Sequence, residues 1–135
     1  MAAGMSSTLV LEPNMSNVGA ARRFVRAALE GIPSEAAADL TLATSELVTN
    51  AIEHGSSEAV LLTVRADGSY ASVSVKSSGE PALVPDVEDW QIAGPDNFSG
   101  RGLGMVRKVV DLVDVVRSAN SIEITVRKRI VPVAD

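Results

Sequence analysis

Apolar residues recur along this chain with two different periods, and the changes of period divide it into strands and helices. Residues 8–12 form a short, mostly apolar run, which predicts a short strand closed by Pro13. Residues 14–32 carry apolar side chains at steps of three and four, which predicts an amphipathic helix ended by Gly31 and Pro33. The inward positions of this helix are Val18, Ala21, Val25, Leu29 and Ile32.

A second helix and a hairpin follow. The helix is predicted from the N-cap candidate Ser34 to about His54, and the following Gly55 is a natural helix stop. Its apolar stripe consists of Leu40, Leu47, Val48 and Ala51. Residues 58–66 alternate as a strand, and the following Asp67-Gly68 pair is a strong signal for a hairpin whose second strand ends at Ser77.

The regular pattern is lost after Ser77 and returns near residue 100. Residues 79–100 are rich in Pro, Gly, Asp and Ser, and so long a loop is usually functional or mobile. Residues 100–113 begin with glycines and become helical, with Leu103, Val106, Val110 and Val113 inward. Two last strands are predicted over 114–118 and 122–127.

The order of these elements, β-α-α-β-β-loop-α-β-β, indicates a fold class. Strands come in hairpin-like pairs, and helices do not alternate with them one to one. The sequence therefore predicts an α+β two-layer sandwich, with helices on one face of a mostly antiparallel sheet. Residues 1–135 are expected to form a single domain, with residues 1–7 disordered.

Composition and charge argue against several classes of function. The chain has no cysteine and one histidine, which excludes thiolate chemistry and makes a zinc site improbable. The net charge of −5 argues against nucleic-acid binding. The N-terminus has no secretory pattern and no stretch is apolar enough to span a bilayer, so we expect a cytoplasmic protein that acts without a membrane or nucleic acid.

Three polar features do not fit the core, and the first lies on the second helix. Glu46, Asn50 and His54 follow one another at steps of four residues and form a stripe beside the apolar face. A carboxylate and an amide one turn apart can share a hydrated cation, and the carboxylate can also accept a proton. An exposed helix face is the alternative interpretation of the same pattern.

The second feature is the glycine-rich segment GRGLGMV at residues 100–106. Its glycines allow a ligand to approach the backbone, and a helix that begins there offers free N–H groups to an anion, with Arg101 adding a charge. It matches neither a Rossmann turn nor a Walker loop. A flexible loop that meets a helix is the alternative interpretation.

The third feature is Ser77, in the segment SVKSSGEP. Ala71, Val73 and Val75 occupy one face of the strand, so the same period places the Ser77 hydroxyl on the inward face, with Gly79 close behind. This serine is either the end of the strand or the floor of a site.

In their order and spacing these three features resemble a known family. The run ELVTNAIEH (46–54) is similar to the N-box, and residues 100–106 to the G2 box, of the GHKL ATP-binding fold, also called the Bergerat fold. Gyrase, Hsp90 and histidine kinases share this fold. The resemblance covers about Thr8 to Arg127 and is greatest to the small anti-sigma-factor serine/threonine kinases of bacterial stress and sporulation regulation.

The resemblance implies a role for each motif. Asn50 would ligate the Mg²⁺ that bridges the ATP phosphates, and Glu46 would act as general base toward a serine hydroxyl on a partner protein. Residues 79–100 would form an ATP lid. Gly100, Gly102 and Gly104, with the backbone around Arg101 and Leu103, would cradle the phosphates. The resemblance implies an anti-anti-sigma protein as the phosphorylated partner, a sigma factor as another partner, and homodimers as a common assembly.

One position departs from the family pattern. The strand before the lid normally ends in D-x-G, whose Asp reads the adenine amino group, and here Ser77 takes the place of that Asp while Gly79 is retained. A later family glycine is replaced by Pro81. A neutral hydroxyl forms a weaker hydrogen bond than a carboxylate, so ATP should bind about tenfold more weakly and with less selectivity for adenine.

Three hypotheses about function remain at this point. The chain is an active kinase with weak or altered nucleotide binding, or a domain of the same fold that has lost nucleotide use and acts only through protein contacts. The third is a structural domain with no ligand.

Overall fold

Five strands and three α-helices make up the described part of the chain, which covers residues 4–55, 58–79, 86–89 and 98–130 in this computed structural model. The strands are β1 (Met5–Leu11), β2 (Val60–Ala66), β3 (Tyr70–Ser78), β4 (Leu112–Arg117) and β5 (Ser121–Arg129). The helices are α1 (Val18–Ala28), α2 (Ser34–His54) and α3 (Phe98–Val109).

The strands form one antiparallel sheet in the order β1-β2-β3-β5-β4, with α2 packed against its centre and flanked by α1 and α3. The predicted α+β sandwich is therefore confirmed. Across the three central strands, Val64 lies opposite Val73, and Val73 opposite Val126. All three side chains are fully buried under the helices, because alternate residues of each strand point to the helical face. No helix in the described ranges is long and apolar enough to cross a bilayer.

The first strand is longer than predicted. It begins at Met5, so the expectation of disorder is wrong for residues 5–7, whereas residues 1–3 lie outside the described part. Met5 pairs with Ala66 and packs against the core together with Leu9. Backbone pairing with β2 and this apolar contact stabilise the extra residues.

The boundaries of the helices were predicted unevenly. The range of α2 agrees with the prediction, but Ser34 is its first helical residue rather than its N-cap. The cap position belongs to Pro33, whose carbonyl accepts a hydrogen bond from the Ala37 N–H at 3.0 Å. Ser34 therefore makes no side-chain cap.

Helix α3 runs over Phe98–Val109 instead of the predicted 100–113, and Val113 belongs to β4. Asp111 makes the turn, because its N–H donates to the Arg127 carbonyl at 2.9 Å and its carboxylate accepts the Arg129 N–H at 2.6 Å. The Lys128 ammonium bonds the Val109 carbonyl at 2.8 Å and satisfies the C-terminal end of the helix. These contacts come from β5, which is distant in sequence.

Candidate functional site

The polar stripe of α2 lies where this helix faces β3 and α3. Asn50 is only 7% exposed, and its Oδ1 atom has no hydrogen-bond partner within the described residues. A buried amide oxygen without a partner costs roughly 1–3 kcal/mol in an apolar environment. By contrast, the buried hydroxyl of Thr44 on the same helix donates to the Leu40 carbonyl at 2.7 Å. Asn50 therefore has an acceptor that the fold leaves available.

Ser77 lies across from Asn50, on the inward face of β3, as its alternation predicts. It is 7% exposed and pairs with Ile122 of β5. Asn50, His54 and Ser77 line one small cavity, together with Ala51, Gly55, Ser78, Gly79 and Ile122. The volume of this cavity is about 10 Å³, close to the space of one water molecule and far below the roughly 300 Å³ of the smaller ligand pockets. This cavity by itself is therefore too small to hold a purine base.

Two glycines join the end of α2 to the end of β3 beside this cavity. Gly55 and Gly79 form an isolated antiparallel bridge. The φ angle of Gly79 is 140°, which side chains rarely tolerate, and its N–H donates to the Asn120 carbonyl at 2.9 Å. A Cβ at Gly55 would lie against the Ala51 carbonyl oxygen and 3.0 Å from that of Ser78. Gly55 is thus required by close packing, a role that sequence reasoning missed because it explained this glycine as a helix stop.

Glu46 lies one turn before Asn50 and faces α3. It is partly buried, and a Cβ placed on Gly102 would lie 2.9 Å from its Oε1 atom. The N-box and the glycine-rich segment are therefore in direct contact, although they are far apart in the sequence. This contact places the Glu46 carboxylate, which can accept a proton, beside the first two turns of α3.

The glycine-rich segment is helical here, whereas a turn that leads into a helix was predicted. Since α3 begins at Phe98, Gly100, Gly102 and Gly104 all lie inside its first two turns. The N–H groups without an intrahelical partner belong to residues 98–101, so those of Gly102 and Gly104 lie within the helical ladder. Leu103 is 1% exposed and packs in the core. The backbone of Arg101 is helical, and its side chain lies outside the described part.

Within the proposed lid, 79–100, the described residues are Gly79, the segment 86–89, and residues 98–100, which already belong to α3. Residues 80–85 and 90–97, including Pro81, lie outside the described ranges. Val87–Asp89 form a 3-10 turn, and the Arg107 guanidinium of α3 donates to the Val87 and Glu88 carbonyls at 2.9 and 3.2 Å. Arg117 of β4 forms an ion pair with Asp86 at 3.2 Å. Two arginines thus hold residues 86–88 against the domain, which the sequence pattern did not indicate.

The donor atoms of this site suit a magnesium ion that the protein binds through few oxygens. A bound ligand would fill the remaining coordination positions. The described residues contain no cluster of three histidine or acidic side chains. Asn50 contributes one hard amide oxygen, buried and unpaired, with the Glu46 carboxylate one turn away. Mg²⁺ in nucleotide sites is commonly bound by one or two protein oxygens, with phosphates and waters as the other ligands. The residues present therefore fit a Mg²⁺–nucleotide complex.

The comparisons with known proteins agree with this geometry. The family described as "Histidine kinase-like ATPase domain" matches residues 11–128. A structure of the RsbU and RsbW domains of Rv1364c from Mycobacterium tuberculosis superposes with a TM-score of 0.66 at 20% identity, over 93% of this chain and 32% of that one. The chain therefore spans about a third of that structure's length.

A second solved structure has the same architecture. The histidine kinase domain of the blue-light activated histidine kinase EL346 from Erythrobacter litoralis has a TM-score of 0.57 and 21% identity, over 96% of this chain and 70% of that one. At such identities the likeness concerns the fold alone. The comparison with curated proteins gives no match.

Proposed function

Since the chain belongs to the histidine kinase-like ATPase domain family, we propose that it binds ATP with Mg²⁺ and phosphorylates a serine of a partner protein. The bound nucleotide supplies the phosphoryl group, and Mg²⁺ neutralises charge on its phosphates. The protein has to orient the reacting groups and to accept the proton of the serine hydroxyl. Phosphoryl transfer needs few protein groups, because positioning and electrostatics provide most of the catalysis.

The observation that carries this proposal is the free acceptor of Asn50. A structural asparagine at a buried position is normally hydrogen-bonded, because an unpaired polar atom destabilises the fold. The Oδ1 atom of Asn50 has no such bond within the described residues and lies beside a cavity. We assign this oxygen to the coordination of Mg²⁺.

Glu46 is assigned as the general base. Its carboxylate is on the same face of α2 as Asn50, one turn nearer the N-terminus, and it contacts α3 at Gly102. A base at this place can accept a hydroxyl proton while the same helix holds the metal ligand. Glu53 on the same helix is exposed and provides a matched control.

The glycines of α3 support a change of conformation on binding. Glycine in a helix interior is less favourable than alanine by about 1 kcal/mol per residue, so three of them lower the cost of unwinding the first turns. Unwinding would release the N–H groups of Gly102 and Gly104 and allow Gly100 to Gly104 to cradle phosphates. The same movement would relieve the contact of Gly102 with Glu46.

The partner is proposed from the resemblance to the anti-sigma-factor kinases. The phosphorylated protein would be an anti-anti-sigma factor, and a sigma factor would be the protein that the unmodified domain sequesters. On this proposal the chain is a regulator of transcription that itself contacts no nucleic acid.

Two observations favour a second candidate, a nucleotide-free binding module of the same fold. Ser77 stands where the family has its adenine-reading Asp, and the cavity beside it holds only about 10 Å³. On this alternative the domain would act through surface contacts alone.

Calorimetric titration of the purified chain with ATP and ADP, with and without Mg²⁺, distinguishes the two candidates. The kinase proposal predicts submillimolar binding that loses its Mg²⁺ dependence in Asn50→Ala. Glu46→Gln should keep nucleotide binding but lose phosphorylation of an anti-anti-sigma partner, while Glu53→Gln behaves as the wild type. Absence of saturable binding at millimolar ATP would decide for the binding module.

A further inference from the structure

The face of the sheet opposite the helices carries a row of side chains that the nucleotide proposal does not use. Arg65 of β2 lies directly opposite Ser72 of β3, and Ser72 lies directly opposite Arg127 of β5. Both arginines are exposed. In the next position along the same face, Tyr70 lies opposite Arg129. Three arginines therefore lie on one face of a protein whose net charge is −5.

Several other cations of the described residues have anionic or carbonyl partners. Lys128 and Arg117 form ion pairs with Asp39 and Asp86, and Arg107 bonds two carbonyls. Lys76, also on the open face, lies directly opposite Glu123. For Arg65 and Arg127, no ion pair within 4.0 Å is formed to any carboxylate of the described residues.

The acidic groups nearest to Arg65, Ser72 and Arg127 either accept backbone hydrogen bonds or lie to one side of these residues. The Asp67 carboxylate accepts the Tyr70 and Ser69 N–H groups at 2.8 and 2.7 Å, and these bonds lower the pKa of Asp67, with a smaller effect from the charge of Arg127. Asp111 accepts the Arg129 N–H. Asp114 lies opposite Thr125, one position along the face from Arg127. The row itself contains no acidic residue.

A surface cavity of about 360 Å³ opens over this row. Arg65, Ser72 and Arg127 line it, with Asp67 and Tyr70 at the hairpin end and with Met5 of β1 and the preceding Gly4 beside them. Its volume is within the roughly 300–1,000 Å³ of small-molecule sites. It lies on the opposite face of the sheet from Asn50 and Ser77.

We propose that this cavity binds a phosphate monoester dianion between Arg65 and Arg127, with the Ser72 hydroxyl as a third donor. Neighbouring strands are about 4.8 Å apart, so the two arginine backbones are separated by about 10 Å and their long side chains can converge above the serine. Guanidinium groups bind phosphate oxygens through paired charge-assisted hydrogen bonds. The ligand is either a small phosphate or a phosphorylated side chain of a protein, since both present the same dianion.

The test uses the full chain labelled with ¹⁵N at low ionic strength, where exposed charges are least screened. Inorganic phosphate, O-phospho-L-serine and a peptide with one phosphoserine are titrated separately, and L-serine and the unphosphorylated peptide serve as neutral controls. Saturable shifts of the Ser72 and Arg127 amide signals are expected with the three phosphate-containing probes and not with the two controls. The Arg65→Gln and Arg127→Gln variants should each weaken binding by about tenfold, whereas Arg26→Gln on exposed α1 leaves it unchanged.

Each outcome of this titration decides one question. Equal affinity for O-phospho-L-serine and the phosphopeptide assigns the site to small phosphates, and clearly tighter binding of the peptide assigns it to a phosphorylated protein. Shifts confined to residues around Asn50 and α3, or equal losses in Arg26→Gln, would overturn the proposal. It does not depend on the kinase proposal, because an Asn50→Ala variant should bind these probes as the wild type does.

Discussion

The Glu46 carboxylate of α2 lies against the Cα of Gly102 in α3, so close that a methyl group at residue 102 would be 2.9 Å from Oε1. A glycine therefore determines the position of the proposed base. The contact involves the far end of a flexible side chain, which can move aside at little energetic cost. Substitution of Gly102 should accordingly affect the position of Glu46 more than the stability of the fold.

We predict that Gly102→Ala separates activity from stability. Alanine is the better helix former by about 1 kcal/mol, so the free energy of unfolding should stay equal or rise slightly. Phosphoryl transfer to the partner serine should fall by about tenfold or more, because small misplacements of a reacting group are costly. Urea denaturation and a transfer assay measure the two effects. Gly68→Ala is the control, since a Cβ there meets nothing within 4 Å.

Asn50→Leu should stabilise the protein in the absence of nucleotide. The substitution removes an acceptor that lacks a partner and fills space beside the small cavity, so the free energy of unfolding should rise by about 1 kcal/mol. Binding of Mg²⁺–ATP should be lost. Thr44→Val is the contrasting variant, because it removes a hydroxyl that is bonded to the Leu40 carbonyl. A loss of stability in Asn50→Leu as large as that in Thr44→Val would argue that Asn50 is structural.

Ser77→Asp tests whether this position reads the base. If the nucleotide site is used, the introduced carboxylate should tighten ATP binding by about tenfold and increase the preference for ATP over GTP. Calorimetry with both nucleotides measures this. Ser6→Asp, an exposed position on the open face of β1, is the control. Equal affinities of Ser77→Asp and the wild type would favour the nucleotide-free module.

The same variant has a second, pH-dependent effect without nucleotide. Ser77 is 7% exposed, so burial should raise the pKa of the introduced carboxyl group above the roughly 3.9 of an unfolded chain. A raised pKa means that the folded state binds the proton more tightly, so stability is greatest below about pH 4 and declines as the pH rises. Relative to the wild type, denaturation midpoints of Ser77→Asp should fall between pH 4 and neutral pH.

Lys128 joins three elements through one ammonium group. Its hydrogen bond to Asp39 at 2.9 Å is the main cause that raises the pKa of Lys128 above its usual 10.5. Lys128→Met should reduce the free energy of unfolding by about 1 kcal/mol at neutral pH, since the pair is partly exposed and its Val109 contact is lost as well. Lys108→Met, on the exposed side of α3, should have little effect.

The pH dependence of this contribution follows from the direction of the shift. The stabilisation is fully present below the unfolded pKa of about 10.5 and is lost as the pH rises through the higher folded value. The wild type and Lys128→Met should therefore converge in stability at a pH well above the folded pKa of Lys128. A difference that persists unchanged at that pH would mean that packing of the lysine stem, rather than its charge, is responsible.

Local periodicity was enough to predict the elements and the inward face of each one. The range of α2, the burial of Val18, Ala21, Val25 and Leu29, and the inward position of Ser77 all follow from steps of two or of three and four residues. The motifs of Glu46–His54 and Gly100–Val106 also indicated the family. These features depend on neighbouring residues, so they can be read from the sequence itself.

Periodicity and motifs alone thus indicated the α+β order of elements, the family and a set of candidate site residues. The end of α3 at Val109, the contact of Glu46 with Gly102, the unpaired oxygen of Asn50 and the alignment of Arg65 with Arg127 follow only from the three-dimensional fold. Each of these depends on the packing or register of segments that are distant along the chain. Local spacing carries no information about which distant residues meet, because that choice is made by the burial and hydrogen bonding of the whole fold.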